Sequence, residues 1–307
     1  MKQFLDLDIY YVPSPVFSKR LKPLGYIAQA IRTMRIVVAT KPDVVWVQSP
    51  PTFLPHLLLL LRRVTRRFRI VVDGHNAALA PPWSRFPATA WAMNRCDRVL
   101  VHNTEMRPAA EALGVRPEKI RVLEDPPPVL DLPEPGRSGT ESYVLVPCSF
   151  NPDERAPIAA VLAAARLLPE VCFKITGRRR KAEALGFTRD PPGNVRFTDY
   201  LPIGEFEDLL IAAGVVLGVT SQQGCQLSVA NEALGAHCAL VLSDTQILRE
   251  MFGEAALFAQ NTPESLAETL REAIARREEL RARSAALKSR RQASWLDVAK
   301  LVTQSLR

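Results

Sequence analysis

The chemistry of this chain is concentrated at a few short stretches in which polar residues interrupt apolar runs. In Ala230-Asn231-Glu232-Ala233-Leu234, Glu232 falls among small and apolar residues. A carboxylate on such a largely buried helix needs a partner, and the two hydroxyls of a ribose are one fitting partner; a capped or solvated glutamate is the other reading. Asp73-Gly74-His75-Asn76 places His75 just after an apolar run, where an imidazole can bind or orient a hydroxyl or a phosphate, and His102 closes the next such run. Two cationic loops complete the set. Ser149-Phe150-Asn151-Pro152-Asp153-Glu154-Arg155 precedes an apolar helical stretch, so Arg155 is a phosphate candidate at a helix start. In Thr176-Gly177-Arg178-Arg179-Arg180-Lys181 four consecutive cations form either a solvated charge run or a diphosphate clamp.

These residues need elements to hold them, and the pattern supplies βα units. Apolar, β-branched runs recur at Ile9 to Val12, Val44 to Gln48, Ile70 to Asp73, Arg98 to His102 and Ile120 to Leu123. They resume at Tyr143 to Pro147, Val171 to Thr176, Val195 to Phe197, Val215 to Val219, Ala239 to Leu242 and Ala256 to Phe258, with helical spacing between them. A helix is expected from about Leu24 to Ala39, opened by Pro23. Between Pro126 and Glu141 the prolines at 126, 127, 128, 133 and 135 remove all periodicity, which marks a linker. The expected fold is α/β, with two Rossmann-like doubly wound domains and a cleft between them. The N-terminal domain covers residues 1–130, the C-terminal domain 140–290, and a final helix 291–307. Ligands of open parallel sheets lie beyond the carboxyl ends of the strands, and the polar stretches above fall at those ends.

Composition narrows the class. With 307 residues, 47% hydrophobic and 23% charged, the chain is long enough for two ordinary cores. Its most apolar run, Phe53 to Leu61, ends at Arg62 and Arg63, short of the ~20 residues a membrane span needs. A cytoplasmic protein is expected, with its five cysteines reduced. The net charge of +8 is uneven: the first 140 residues hold 20 Lys and Arg against 12 Asp and Glu, and the remainder is balanced. The densest part, Arg62, Arg63, Arg66, Arg67 and Arg69, is a candidate surface for an anionic membrane, or else a solvated helix end. No G-x-G-x-x-G follows a strand and no aromatic stripe accompanies the arginines, so nucleic acid is not expected as a partner.

From about Val44 onwards the order of signals resembles the family-4 type of retaining glycosyltransferases with the GT-B fold. The matching elements are Lys41-Pro42-Asp43-Val44-Val45, Val72-Asp73-Gly74-His75, Cys96-Asp97-Arg98-Val99-Leu100-Val101, Asn194-Val195-Arg196-Phe197, Asn231-Glu232-Ala233-Leu234, Ser243-Asp244 and Leu248-Arg249-Glu250. The resemblance implies a nucleotide-sugar donor on the C-terminal domain and a glycan or lipid-linked acceptor on the N-terminal one. It makes Glu232 the ribose ligand, and His75 the histidine near the transferred sugar. Arg155 and Arg178 are then the cations that stabilise the leaving diphosphate, with Ser149 and Gly177 beside them, and neither metal nor cofactor is implied. The family's earlier glutamate has no counterpart, since position 224 is Gly224; the amide of Gln223 is the nearest group able to bond sugar hydroxyls. The first βα unit of the N-terminal domain also has no counterpart. The implied function is transfer of a sugar, with retention, in cell-envelope or polysaccharide synthesis, peripheral to the inner face of the membrane. The alternative is a GT-B protein that binds a sugar nucleotide or a partner without transfer.

Overall fold

The computed structural model describes residues 7–13, 21–65, 68–132, 143–151 and 157–304. The chain divides into two compact units. Unit 1 comprises Met1–Asp125 together with Trp295–Arg307, and unit 2 comprises Pro126–Ser294.

Unit 1 begins with α1 (Lys22–Thr40), which has proline in its first turn where a missing N–H is harmless, and ends at Lys41 in the left-handed conformation. The sheet follows in chain order: β1 (Val44–Ser49), β2 (Arg69–Gly74), β3 (Arg98–Val101) and β4 (Ile120–Val122), all parallel. The connections are α2 (Leu54–Val64), α3 (Thr89–Arg95) and α4 (Met106–Ala112). Alternation along the strands sends Ile70, Val72, Val99 and Val101 into one core with Leu58, Met93 and Ile120. Val71 and Leu100 face the other way, into a cluster with Leu123, Trp295, Ala299 and Val302. Burial on both faces is why these strands read as continuous apolar runs. The expected strand at Ile9 to Val12 does not form: residues 7–13 carry no regular structure, and Ile9, Tyr10 and Tyr11 are exposed. A β-branched run becomes a strand only where a neighbour takes its backbone groups.

Unit 2 is a six-stranded parallel sheet of order β10-β9-β8-β5-β6-β7. Its strands are β5 (Tyr143–Pro147), β6 (Cys172–Thr176), β7 (Val195–Asp199), β8 (Val215–Gly218), β9 (Ala239–Ser243) and β10 (Ala256–Ala259). The helices are α5 (Ile158–Arg166), α6 (Arg179–Ala184), α7 (Ile203–Ala212), α8 (Ser228–Gly235), α9 (Gln246–Phe252), α10 (Pro263–Ala275) and α11 (Arg277–Gln304), which passes into unit 1 at Trp295. Thr245 and Thr262 cap α9 and α10 by accepting from Leu248 N and Ser265 N. Within β5, Val144 and Val146 enter one core while Tyr143 and Leu145 enter the other. Chain order reverses between β5 and β8, which makes the crevice beyond their carboxyl ends the place where a sheet of this kind takes a ligand.

Candidate functional site

Two groups of side chains stand at the carboxyl ends of the strands, one in each unit. In unit 2 the loops after β5 and β6 are in direct contact. Gly177 has φ +120°, and a Cβ on it would lie 1.7 Å from the Cys148 carbonyl oxygen, so only glycine permits the approach. Ser149, Gly177 and Arg178 are thereby brought together. Lys181, from the first turn of α6, reaches across to the Ser149 carbonyl at 3.4 Å and to Asn151 Oδ1 at 3.3 Å. Arg178 is exposed, its guanidinium 6.0 Å from the Tyr200 ring, whereas Arg179 is held by Glu183 at 3.1 Å. Arg155 lies outside the described residues.

Across the reversal in strand order, the loop Thr220 to Leu227 rests on a closed hydrogen-bond cycle. Thr220 N donates to Ser243 Oγ at 2.9 Å, Ser243 Oγ donates to Asn261 Oδ1 at 2.7 Å, and Asn261 Nδ2 donates to the Thr220 carbonyl at 2.9 Å. The cycle ties the ends of β8, β9 and β10 together and fixes where the loop leaves the sheet. Gly224 is buried with φ +66°, and Gln223 is exposed. The polar group that the fold encloses is instead Gln226, whose amide nitrogen and oxygen are both buried without a hydrogen-bond partner among the described residues. Such a group costs about 1–3 kcal/mol while unpaired and is a natural ligand contact. Nothing in the local pattern singles it out from Gln222 or Gln223, so sequence reasoning passed it by.

Glu232 sits in the middle of α8, half-buried, with its carboxyl pushed above the ordinary range by burial and then by Glu207 on α7. Its neighbour Asn231 is buried and accepts from Arg291 of α11 at 2.8 Å. Asp244 pairs with Arg249, and accepts from Gln260 at 2.9 Å, so Ser243-Asp244 and Leu248-Arg249-Glu250 brace the frame of this sheet edge.

In unit 1 the β2 loop carries His75, whose backbone N–H donates to the Ser49 carbonyl at 2.9 Å. Its Nε2 lies 2.8 Å from Gln48 Nε2 of β1, and its ring centroid is 4.3 Å from that of His102, at the end of β3. His102 is buried between two carboxylates, with Nε2 2.7 Å from Asp73 Oδ1 and Nδ1 3.2 Å from Asp125 Oδ1. Burial alone would lower its pKa; the contacts with Asp125 and Asp73 outweigh that and bring it up to about 10. His75 moves the other way, lowered by burial and then by the charge on His102. Asp73, His75 and His102 offer donor atoms within 4.8 Å of one another, as a metal would require. A cation bound through His102 Nε2 would have to displace the proton that this nitrogen shares with Asp73. Asp125 has no sequence signal, because it stands beside the proline-rich segment. His102 has one, since it ends a strand as His75 does.

The arginine run after α2 is partly engaged. Asp97 accepts from Arg62 at 2.8 Å and Arg69 at 3.2 Å, and also from the Ile70 backbone N–H at 2.8 Å. Arg63 is exposed, while Arg66 and Arg67 lie outside the described residues. The cationic surface expected of this run is thus smaller than its composition implies, because one buried-edge carboxylate collects two of the five charges.

Known proteins share this fold. The family described as Glycosyltransferase Family 4 matches residues 2–125. No curated protein matches the chain. Among solved structures, HepE from Anabaena, in complex with UDP-glucose, is 15% identical with a TM-score of 0.70, covering 92% of this chain and 84% of that one. Sucrose-phosphate synthase from Thermosynechococcus elongatus is 14% identical, TM-score 0.70, over 94% of this chain and 79% of that one. A glycosyltransferase from Rickettsia africae is 11% identical, TM-score 0.65, over 94% and 83%. The chain has the GT-B fold of these glycosyltransferases, and its N-terminal unit carries the match to Glycosyltransferase Family 4.

Proposed function

We propose that this chain transfers a sugar from a nucleotide-sugar donor, with retention of configuration, to a lipid-linked or glycan acceptor of the cell envelope. The observation that carries the donor assignment is the convergence, on either side of the strand reversal in unit 2, of a cationic loop pair and an enclosed amide without a partner. Arg178 and Lys181, with Arg155, meet the diphosphate; Glu232 meets the ribose; Gln226, with Gln223 and the Gly224 turn, meets the sugar. Charge grows on the leaving diphosphate as the glycosidic bond breaks, so fixed cations there favour the transition state over the bound donor and do so without a metal. His75 is the hydrogen-bonding group for the reacting sugar. A uridine nucleotide is the first donor to try, because HepE is seen with UDP and with UDP-glucose.

The acceptor assignment rests on α1. Leu24, Ile27, Ile31 and Val38, between 41 and 57% exposed, fall on one stripe at about 100° per residue. Lys22, Arg32 and Arg35 are the charged residues of this helix, which contains no acid. An apolar stripe flanked only by cations is the make-up of a helix that lies in the headgroup region of an anionic bilayer. Among the described residues no helix is long and apolar enough to cross a membrane.

The test of the donor reading is a thermal-shift series with UDP, UDP-sugars and GDP-sugars, followed by nucleotide release in the presence of membrane extract. A donor at about 100 times its Kd raises stability by about 2.7 kcal/mol, a readily measured shift. The reading fails if no nucleotide sugar shifts the midpoint. Binding without release under any acceptor condition would favour a sugar-nucleotide-binding protein without transfer.

A further inference from the structure

We propose that His102 is a positioning residue for His75, its ring held between the Asp73 and Asp125 carboxylates and packed against the His75 ring at 4.3 Å. The inference rests on His75 as the group that meets the reacting sugar, and it adds the device that sets the state in which His75 does so.

The argument begins with the two ring nitrogens of His102. Each faces a carboxylate oxygen, at 2.7 Å and 3.2 Å, and a carboxylate only accepts. Nε2 is within hydrogen-bond distance of Asp73, and the Asp125 carboxylate at ion-pair distance from Nδ1 favours a second proton there, which makes the ring a cation in a place almost closed to water. Its charge is balanced by Asp73 from β2 and Asp125 from the segment after β4, and Trp46 Nε1 donates to the second Asp73 oxygen at 3.4 Å. The ring of His75 is in contact with this cation. Its Nε2 lies 2.8 Å from the Gln48 amide nitrogen, which donates, so that Nε2 is the acceptor and the ring is neutral. The groups that bear on His75 act in opposite senses: burial and His102 disfavour a second positive charge, and Asp73 and Asp125 favour it. The first pair prevails.

Two adjacent imidazoles are thus driven to opposite protonation states. His102 keeps its proton, and His75 stays neutral, so His75 presents a free N–H to a sugar hydroxyl and puts no cation beside a reacting centre that itself becomes positive. Asp125 belongs to the same device, because it engages the far nitrogen of His102 and removes the tautomer that would leave His75 to share the proton.

Side-chain NMR of histidine in the full chain, labelled with 15N, tests this directly, with His75→Gln and His102→Gln used to assign the signals. The expected result is a His102 ring that remains doubly protonated through pH 9 and a His75 ring that is neutral at pH 7. In His102→Gln the His75 midpoint should rise by about 1 pH unit, since a cation is removed and two carboxylates are released. In Asp125→Asn, which keeps the ring in place, the His102 proton should leave at a lower pH. The acid limb of kcat/KM should move upwards with the His75 midpoint in His102→Gln, while KM for the donor is unchanged. A neutral His102 at pH 7 in the native chain, or an unmoved His75 midpoint in both variants, overturns the proposal. A fully active His75→Ala enzyme would instead overturn the reading of His75, and would leave the coupling of the two rings to be judged by NMR alone.

Discussion

Gly177 and Cys148 approach so closely that no side chain can stand on Gly177: a Cβ there would meet the Cys148 carbonyl oxygen at 1.7 Å, and the backbone lies at φ +120°. Gly177→Ala is expected to destabilise the protein by about 2 kcal/mol or more, from backbone strain and displacement of the Ser149 loop, and to weaken nucleotide binding with it. Gly193→Ala is the control, because nothing lies within 4 Å of its Cβ. Urea melts of the two variants settle the matter; equal midpoints would mean that the two loops are not coupled as described.

Glu232→Gln should weaken donor affinity about tenfold or more, the loss expected when charged hydrogen bonds worth ~1.5–3 kcal/mol become neutral ones. Burial and Glu207 already raise the carboxyl in the free protein, so removing its charge should leave stability at neutral pH unchanged or improved. Calorimetric titration with UDP and with the full donor separates the contributions. Unchanged affinity for both would remove Glu232 from the ribose.

Gln226→Met keeps the volume of the side chain and removes two buried polar atoms that have no partner among the described residues. The ligand-free protein should become more stable by about 1 kcal/mol, and donor affinity should fall several-fold, while affinity for UDP alone holds. A variant that loses stability without losing donor affinity would show that the amide is satisfied within the protein.

The alkaline behaviour of the fold should carry the signature of His102. Its pKa is raised in the folded chain to about 10, so the stabilisation it brings is complete below about pH 6.5 and is lost as the pH climbs towards 10. Asp125 is lowered, so its share is present above about pH 4 and is lost as the pH falls further. Between pH 7 and 9 the native chain should lose up to about 1.4 kcal/mol per pH unit more than His102→Gln does. Parallel stability curves for the two proteins would show that His102 carries no extra proton.

Membrane binding should depend on α1 rather than on the arginine run after α2. Sedimentation with anionic and neutral vesicles should pellet the native chain only with the anionic ones and release it at high salt, because each cation near the surface contributes about 1 kcal/mol over a Debye length of ~8 Å. Ile27→Ser together with Ile31→Ser should abolish pelleting, and Arg62→Gln should leave it unchanged, since Arg62 is held by Asp97. Recovery of the native chain in the supernatant with every vesicle would leave the α1 stripe to a soluble partner.

The strands β2, β3, β5, β8 and β9 are legible because they are buried on both faces, which leaves an uninterrupted apolar run that a sequence displays openly. Ile9 to Val12 has the same composition and forms no strand, since composition does not reveal whether a neighbouring edge exists. Among the candidate site residues, His75, Ser149, Gly177, Arg178 and Glu232 stand out in the sequence by their place at strand ends or in a recognisable run. Gln226 and Asp125 do not, because what distinguishes them is enclosure and a partner distant in sequence. In the arginine run, composition does not reveal that Asp97, some thirty positions away, binds two of its members.

The last helix of the chain has a consequence for the order in which the molecule is made. Trp295, Ala299 and Val302 fill the face of the first sheet formed by Val71, Leu100 and Leu123, about 170 residues after the last strand of that sheet. As the chain leaves the ribosome from its N-terminus, this face of unit 1 stays uncovered while the whole of unit 2 is synthesised, although the sheet itself can already pair. Unit 2 therefore completes its interior first, and of the two units the earlier to emerge is the later to close.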